Sequence, residues 1–311
     1  MRKYLVGFAG IVAALAAFAR LLRPRERLDW NKVSKPGRLI EVDGERLHYI
    51  EEGSGSAVVL VHGFAGHTFS YRYVIPELAR AHRTVALDLL GFGYSERPKK
   101  ADYSLGAQAR RVLRLMDALG IERASLVGHS MGGEVVMRAA ATAPKRVDRL
   151  VLVASISGER IPLLPATPLI KPFLPLFSRL LAWRAQKRLF YDPSKLTPDI
   201  IEAYRRPLMI KGTMQAFYQM IRDFRKDKTV DYKKITQPVL IIWAAGDKIL
   251  PRFTLARLKK RLPSAQVVTV ERAGHLLMEE RPEAVIPLLQ RFLAPIEKPA
   301  PAEPVEVTGD R

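Results

Sequence analysis

The sequence predicts an α/β fold, a mostly parallel sheet with helices on both faces, and three observations predict it. Short apolar, β-leaning runs alternate with helix-forming segments over most of the chain, and the strand runs are near-continuously apolar, as strands buried on both faces must be. One such run, Ala124 to Val127, leads directly into Gly128-His129-Ser130-Met131-Gly132 and then into a helix former rich in Ala and Met. The alternation pauses once, after Ser155, and resumes at Val239.

The elements follow in order. Arg38 to Val42 and Arg46 to Glu51 read as a two-strand ribbon turned at Asp43-Gly44. Val58 to Val61 is a buried strand, followed by His62-Gly63-Phe64-Ala65-Gly66 and a helix over Tyr73 to Ala81. Thr84 to Leu90 is the next strand, ending in Gly91-Phe92-Gly93-Tyr94-Ser95. Ser104 suits the cap of a helix reaching Leu119, with Leu105, Ala109, Val112, Leu113 and Met116 on one face. After the strand and helix around Ser130 comes a strand at Val147 to Ser155. Residues 156–235 lack strand patterns, are dense in Pro, Leu, Phe and Arg, and read as a helical insertion. Val239 to Trp243 resumes the sheet, Phe253 to Leu262 is helical, Gln266 to Glu271 is the last strand, and a helix from Pro282 to Leu293 closes the fold. The Pro- and Glu-rich residues 295–311 read as a disordered tail.

Composition narrows the chemistry. The 311 residues contain no cysteine, which excludes disulfides, thiolate catalysis and Cys-ligated metals. The net charge is +20, and it is concentrated. Residues 1–35 carry eight Lys/Arg against two acids, and residues 158–235 carry sixteen against seven. Such segments suit an anionic lipid surface. No nucleic-acid motif or aromatic-interleaved basic stripe accompanies them, so nucleic acid is not an expected partner. Tyr4 to Ala19 is uncharged, and with Leu21 and Leu22 it makes a segment of about 28 Å as a helix, enough for a bilayer's hydrocarbon. A cleaved signal peptide is the competing reading, with Arg2 and Lys3 as its charged start and Ala17-Phe18-Ala19 as its cleavage site. Arg20, Arg23, Arg25 and Arg27 oppose translocation of that flank, so residues 1–28 are read as an uncleaved anchor. The expected location is a membrane, the bacterial inner membrane, reached through this single N-terminal helix. The side taken by the catalytic domain stays open, although the basic downstream flank favours the cytoplasm.

A strand, Gly-x-Ser-x-Gly and a helix in succession form the context in which a serine hydroxyl is thrust clear of a sheet. Gly128, Gly132 and Gly133 keep Cβ atoms out of the place where strand and helix nearly collide. Ser130 is therefore the candidate nucleophile. A serine needs a base, and the base an orienting carboxylate. Of the six histidines (48, 62, 67, 82, 129 and 275) only His275 follows Ser130, in a loop beyond the last strand. His129 is expected to point away from its neighbour Ser130, and His62 to be a satisfied structural histidine. Asp192, Asp199, Asp223, Asp227 and Asp231 fall in the insertion and read as solvated helix charge. Glu271 rivals Asp247 as the orienting acid. Asp247 is preferred because it ends the strand begun at Val239 and gives the order Ser, Asp, His. The backbone N–H groups of Met131 and Phe64 are the candidate oxyanion donors. This chemistry calls for no cofactor and no metal.

Residues 38 to 293 resemble the α/β-hydrolase superfamily, through His62-Gly63-Phe64, Asp88 to Ser95, Gly128 to Gly133, Gly246-Asp247 with Pro251, and Gly274-His275. The resemblance implies an eight-stranded, mostly parallel sheet. Its core would be residues 36–156 and 236–294, with a helical cap at 157–235. Relatives acting on epoxides and haloalkanes carry Asp where this chain has Ser130, which removes both activities. The expected function is a serine hydrolase cleaving carboxylic esters, the arrangement being similar to membrane-anchored monoacylglycerol-lipase-like enzymes. The apolar, basic run at residues 161–177 points to medium or long acyl chains. A C–C bond hydrolase and a non-catalytic hydrolase-fold binding protein are the alternatives.

Overall fold

The computed structural model describes residues 26–158 and 188–294, apart from the side chain of Arg225. The N-terminal apolar segment, the apolar run at 161–177 and the tail at 295–311 lie outside the described residues.

Eight strands form one sheet in the order β1-β2-β4-β3-β5-β6-β7-β8. They are β1 (Arg38–Val42), β2 (Glu45–Glu52), β3 (Ser56–Val61), β4 (His82–Leu87), β5 (Ala124–His129), β6 (Val147–Val153), β7 (Val239–Ala244) and β8 (Gln266–Val270). β2 pairs antiparallel with β1 and β4, and every pairing from β4 to β8 is parallel. The hairpin turns at Asp43 and Gly44, both at positive φ (51° and 77°), the geometry that matches the strands' own twist. β5 and β7 are buried at every residue because helices cover both faces.

The helices are α1 (Val74–Leu78), α2 (Leu105–Ala118), α3 (Met131–Thr142), α4 (Pro198–Leu208), α5 (Thr213–Asp223), α6 (Phe253–Arg261), α7 (Leu277–Glu280) and α8 (Pro282–Leu293). Side chains alternate across the strands, so two cores form. One joins Val59, Leu126 and Leu152 to Val112, Leu115 and Val136 of α2 and α3. The other joins Val58, Leu60 and Val127 to Leu78 of α1 and Leu289 of α8.

Three expectations need correction. The location at a membrane through a single N-terminal helix is the first. No helix among the described residues is long and apolar enough to cross a membrane. The longest described helix, α2, has 14 residues and an Arg-bearing polar face, about 21 Å against the roughly 30 Å of a hydrocarbon core. The described residues thus supply no such anchor. Second, the strand expected at Thr84 to Leu90 ends at Leu87. Asp88, just past its end, still donates its N–H to the His48 carbonyl of β2 at 2.8 Å, while its carboxylate is bonded in the interior as described below.

Third, Asp223 and Asp227 are not solvated helix charge. Asp223 is buried, and its carboxylate accepts from the N–H of Tyr103 (3.2 Å), from Arg222 and from Lys226. Asp227 accepts from the N–H groups of Leu105 (2.8 Å) and Gly106 (2.9 Å), two of the unpaired donors that open α2. Ser104 takes a third, that of Ala107 (3.2 Å). The insertion thereby caps a core helix. Glu26 does the reverse service, accepting from Gly212 (3.0 Å) and Met214 (2.8 Å) where α5 begins. The stretch ahead of β1 is also docked, since Leu28 bridges Ile210 and the Trp30 indole donates to the Tyr94 carbonyl at 2.8 Å.

Replacing Asp227 by Ala should strip both N–H groups of their acceptor and lower stability by about 1–2 kcal/mol, read as a reduced urea midpoint at unchanged m-value.

Candidate active site

The turn from β5 into α3 brings two backbones into near collision. A Cβ on Gly128 would lie 2.4 Å from the Gly132 carbonyl oxygen, and one on Gly132 would lie 2.2 Å from that of Val61. With both positions bare, Ser130 is held at φ 51°, ψ −117°, a strained conformation for any side chain. The parallel register pairs Val61 with Gly128, so the loops leaving β3 and β5 emerge side by side.

Ser130 is 8% exposed, and its Oγ lies 2.9 Å from His275 Nε2. His275 Nδ1 lies 2.7 Å from Asp247 Oδ2. Burial alone would raise the Asp247 carboxyl. The hydrogen bond and charge of His275, with the backbone N–H groups of Leu250 and Ile249, more than offset it and hold the group below the usual carboxylate range. The other oxygen, Oδ1, accepts from Ile249 (2.7 Å) and Leu250 (3.0 Å). An ionised Asp247 requires the proton on His275 Nδ1, leaving the Nε2 lone pair facing the serine hydroxyl. Glu271, the rival acid, is exposed and its carbonyl accepts from Arg281.

Met131 opens α3, so its N–H is a first-turn donor without an intrahelical acceptor. Phe64 follows Gly63, where a Cβ would sit 3.0 Å from that of Ser130. The Phe64 ring is half exposed and packs on Phe92 (centroids 5.7 Å apart) and on Phe217 of α5 (4.9 Å). Phe92 and Phe217 are themselves 5.0 Å apart.

The neighbouring histidines divide. His62 is a satisfied structural residue, with Nδ1 2.7 Å from the Gly63 carbonyl and Nε2 accepting the N–H of Leu89 at 3.0 Å. His129 is no bystander. Burial and the nearby His275 push its pKa down to about 3, and the neutral ring donates from Nε2 to the His275 carbonyl at 2.8 Å.

Asp88 gave no signal as a functional group in the sequence beyond its place in a loop motif. Completely buried, it accepts from the N–H of Thr68 (2.6 Å), the N–H of Tyr94 (2.7 Å) and His48 Nδ1 (2.7 Å). It thus ties the segment after Phe64 to the loop bearing Phe92. Its carboxyl is held far below the ordinary range. Burial opposes that shift, and the charge and hydrogen bond of His48 overcome it. For His48, burial lowers the pKa, and Asp88's charge and hydrogen bond leave it raised.

Residues 56–282 match the alpha/beta hydrolase fold family. The chain belongs to that family. Among its curated relatives is the uncharacterized hydrolase YugF of Bacillus subtilis, 31% identical over 83% of this chain and 98% of that protein. Another is a 2-hydroxy-6-oxo-2,4-heptadienoate hydrolase of Pseudomonas putida, 30% identical over 83% of this chain and 96% of the relative. Among solved structures, a membrane phospholipase A described as a bacterial virulence factor superposes with a TM-score of 0.67 at 26% identity. The match covers 94% of this chain and 98% of that one. The family is one of hydrolases, and these names span more than one bond type.

The His48–Asp88 pair makes stability depend on pH at both ends. A raised imidazole pKa stabilises the fold in full below the unfolded value, about 6.5, and the benefit is lost as pH rises through the folded value. A depressed carboxyl pKa stabilises above about pH 4 and the benefit is lost as pH falls through its folded value. His48→Gln should therefore cost about 3 kcal/mol at pH 6, and distinctly less at pH 9, in urea denaturation compared with the parent protein.

Proposed function

We propose that this protein is a serine hydrolase that cleaves carboxylic esters with apolar acyl groups through an acyl-enzyme on Ser130. The observation that carries the reading is the unbroken line from Asp247 through His275 to the Ser130 hydroxyl, with spacings of 2.7 and 2.9 Å. In this cycle Ser130 Oγ attacks the acyl carbonyl while His275 Nε2 takes its proton. The N–H groups of Met131 and Phe64 receive the developing oxyanion. Collapse expels the alcohol, which takes the proton from His275. Water then attacks the acyl-enzyme with His275 again as base, and collapse releases the carboxylic acid as Ser130 Oγ takes the proton back from His275. Asp247 stays ionised throughout, stabilising the imidazolium and its tautomer.

The substrate class rests on the aromatic group beside the hydroxyl. Phe64 and Phe217, both packed on the buried Phe92, offer rings and no charge to whatever the serine attacks, which suits a hydrocarbon acyl chain. The phospholipase likeness, over nearly the whole chain, favours the same lipid-like ester. The second reading is hydrolysis of a C–C bond beside a ketone, favoured by the relative named for a 2-hydroxy-6-oxo-dienoate. It needs the same serine, histidine and aspartate, and differs in the substrate's carbon leaving group.

A fluorophosphonate probe should label the parent protein and leave Ser130→Ala unlabelled, with ester turnover falling about a million-fold. Labelling of the alanine variant would discard Ser130 as nucleophile. A p-nitrophenyl ester series set against a ring-cleavage diketone separates the two readings by kcat/KM. In that series Phe217→Ala should shift preference toward longer acyl chains by roughly tenfold, and an unchanged profile would remove Phe217 from the acyl pocket.

A further inference from the structure

Within the insertion, ahead of α4, a short connection, Leu189 to Asp192, leans on the loops of both Asp247 and His275. A Cβ on Gly246, next to Asp247, would meet the Tyr191 ring at 2.5 Å. A Cβ on Gly274, next to His275, would lie 2.5 Å from Tyr191 N and 2.6 Å from the Leu189 carbonyl oxygen. The N–H of Leu276, on the other side of His275, donates to that same carbonyl at 3.1 Å, and Gly246 N donates to Ala273 O at 3.0 Å. Phe190 is buried and anchors the connection in the interior, while the side chains of Tyr191 and Asp192 reach the surface.

One carboxylate holds the three strands of chain together. Glu280 is 1% exposed. Its Oε2 accepts from Gly274 N (2.7 Å) and Tyr191 N (2.8 Å), and its Oε1 accepts from Asp192 N (2.6 Å). Lys195 Nζ adds a bond to the Glu280 backbone carbonyl at 2.7 Å. Its neighbour Glu279 makes a second tie to the insertion, accepting from Tyr204 of α4 and pairing with Arg72. Tyr204 Oη in turn lies 2.8 Å from Ser70 Oγ.

We propose that Glu280 is a positioning residue for the reaction. It clamps residues 189–192 against Gly274 and so sets His275 at its distance from Ser130 and Asp247. The inference rests on the serine-hydrolase reading above. The chemistry asks for a carboxylate, because three backbone N–H donors converge on two oxygens and none of the three can accept a hydrogen bond. An amide has one oxygen, so Gln would turn its NH2 toward an N–H and push the connection away from the histidine loop. Displacement of the imidazole by a fraction of an ångström is enough to slow proton transfer, while the acyl pocket around Phe64 and Phe217 is untouched.

The test compares the full chain with Glu280→Gln, Glu280→Asp and Ser130→Ala, using a p-nitrophenyl ester and the fluorophosphonate probe. Glu280→Gln should lose roughly 10- to 100-fold in kcat with KM within about twofold, slow probe labelling in proportion, and move the acid limb of the pH–kcat/KM profile. Glu280→Asp, which keeps both oxygens, should recover part of the loss, and it carries the test alone if the Gln variant fails to fold. A lowered melting temperature with unchanged kcat, labelling rate and pH profile would overturn the inference and leave Glu280 a purely structural residue. If Ser130→Ala keeps its labelling, the functional reading itself has failed. If it is silent while Glu280→Gln and Glu280→Asp turn over like the parent, only the positioning role has failed.

Discussion

Everything at this site depends on how closely the backbone of α3 approaches that of β3 and β5. The contact leaves no room for a Cβ at Gly128 or Gly132, and it forces Ser130 into a conformation costing on the order of 1–3 kcal/mol. The surrounding interior over-determines that geometry. Ser130 N donates to Val153 O at 3.0 Å, and its carbonyl accepts from Gly133 at 3.0 Å and Ile156 at 3.3 Å. The serine is thus stitched to β6 on one side and to its own helix on the other. Because β3 and β5 run parallel in register, the same approach delivers the Gly63-Phe64 turn to the hydroxyl without any dedicated contact. A parallel sheet puts all its outgoing loops at one edge, and the candidate machinery comes from four of them: those after β3, β5, β7 and β8.

Buried carboxylates then fix those loops. Asp88 gathers the segment after Phe64 and the turn before Tyr94. Asp247 gathers its own loop and His275, and Glu280 gathers Gly274 and the connection at 191–192. Each group accepts backbone N–H donors that no strand or helix satisfies, and an unpaired buried donor costs about 1–3 kcal/mol. An ionised oxygen is the better acceptor because such bonds are roughly twice as strong as neutral ones. The desolvation of these anions is the opposing term, and only Asp88 and Asp247 have an imidazole to share it. The result is a set of irregular loops whose backbone N–H groups are held by buried carboxylates.

This division also accounts for what could be read from the sequence. Central strands announce themselves by composition, since a run such as Val239 to Ala244, buried at every residue, has to be apolar throughout. Ser130, His275 and Asp247 were legible because the elbow has a local signature and the chain order leaves one histidine after it. Asp227 was not, because its partners Leu105 and Gly106 lie more than 120 residues upstream and offer only backbone N–H groups. A carboxylate in a polar stretch looks the same whether it faces water or caps a distant helix. The same blindness hid Asp223, Asp88 and Glu280. The docking of residues 28–33 escaped notice because a short polar stretch carries no periodicity to reveal what it touches. Apolar length near the N-terminus invited a membrane location, yet length and hydropathy describe a segment and say nothing of whether a spanning helix forms.

The described part of the insertion reaches the site at two places with different consequences. Through Phe217 it closes over the turn bearing Phe64, which on the proposed function is where an acyl group would sit. Through residues 189–192 it bears on the loops of Asp247 and His275, where it meets no substrate. On the proposed function a change in α5 would alter what fits, whereas a change at the 189–192 connection would alter how well the proton moves once something has fitted. The two contacts are 20 or more residues apart in the chain and are tied to the core separately, by Asp223 and Asp227 at one end and by Glu279 and Glu280 at the other. Substrate preference and turnover can consequently diverge by substitution in different parts of one insertion, with the sheet and its strained serine left as they are.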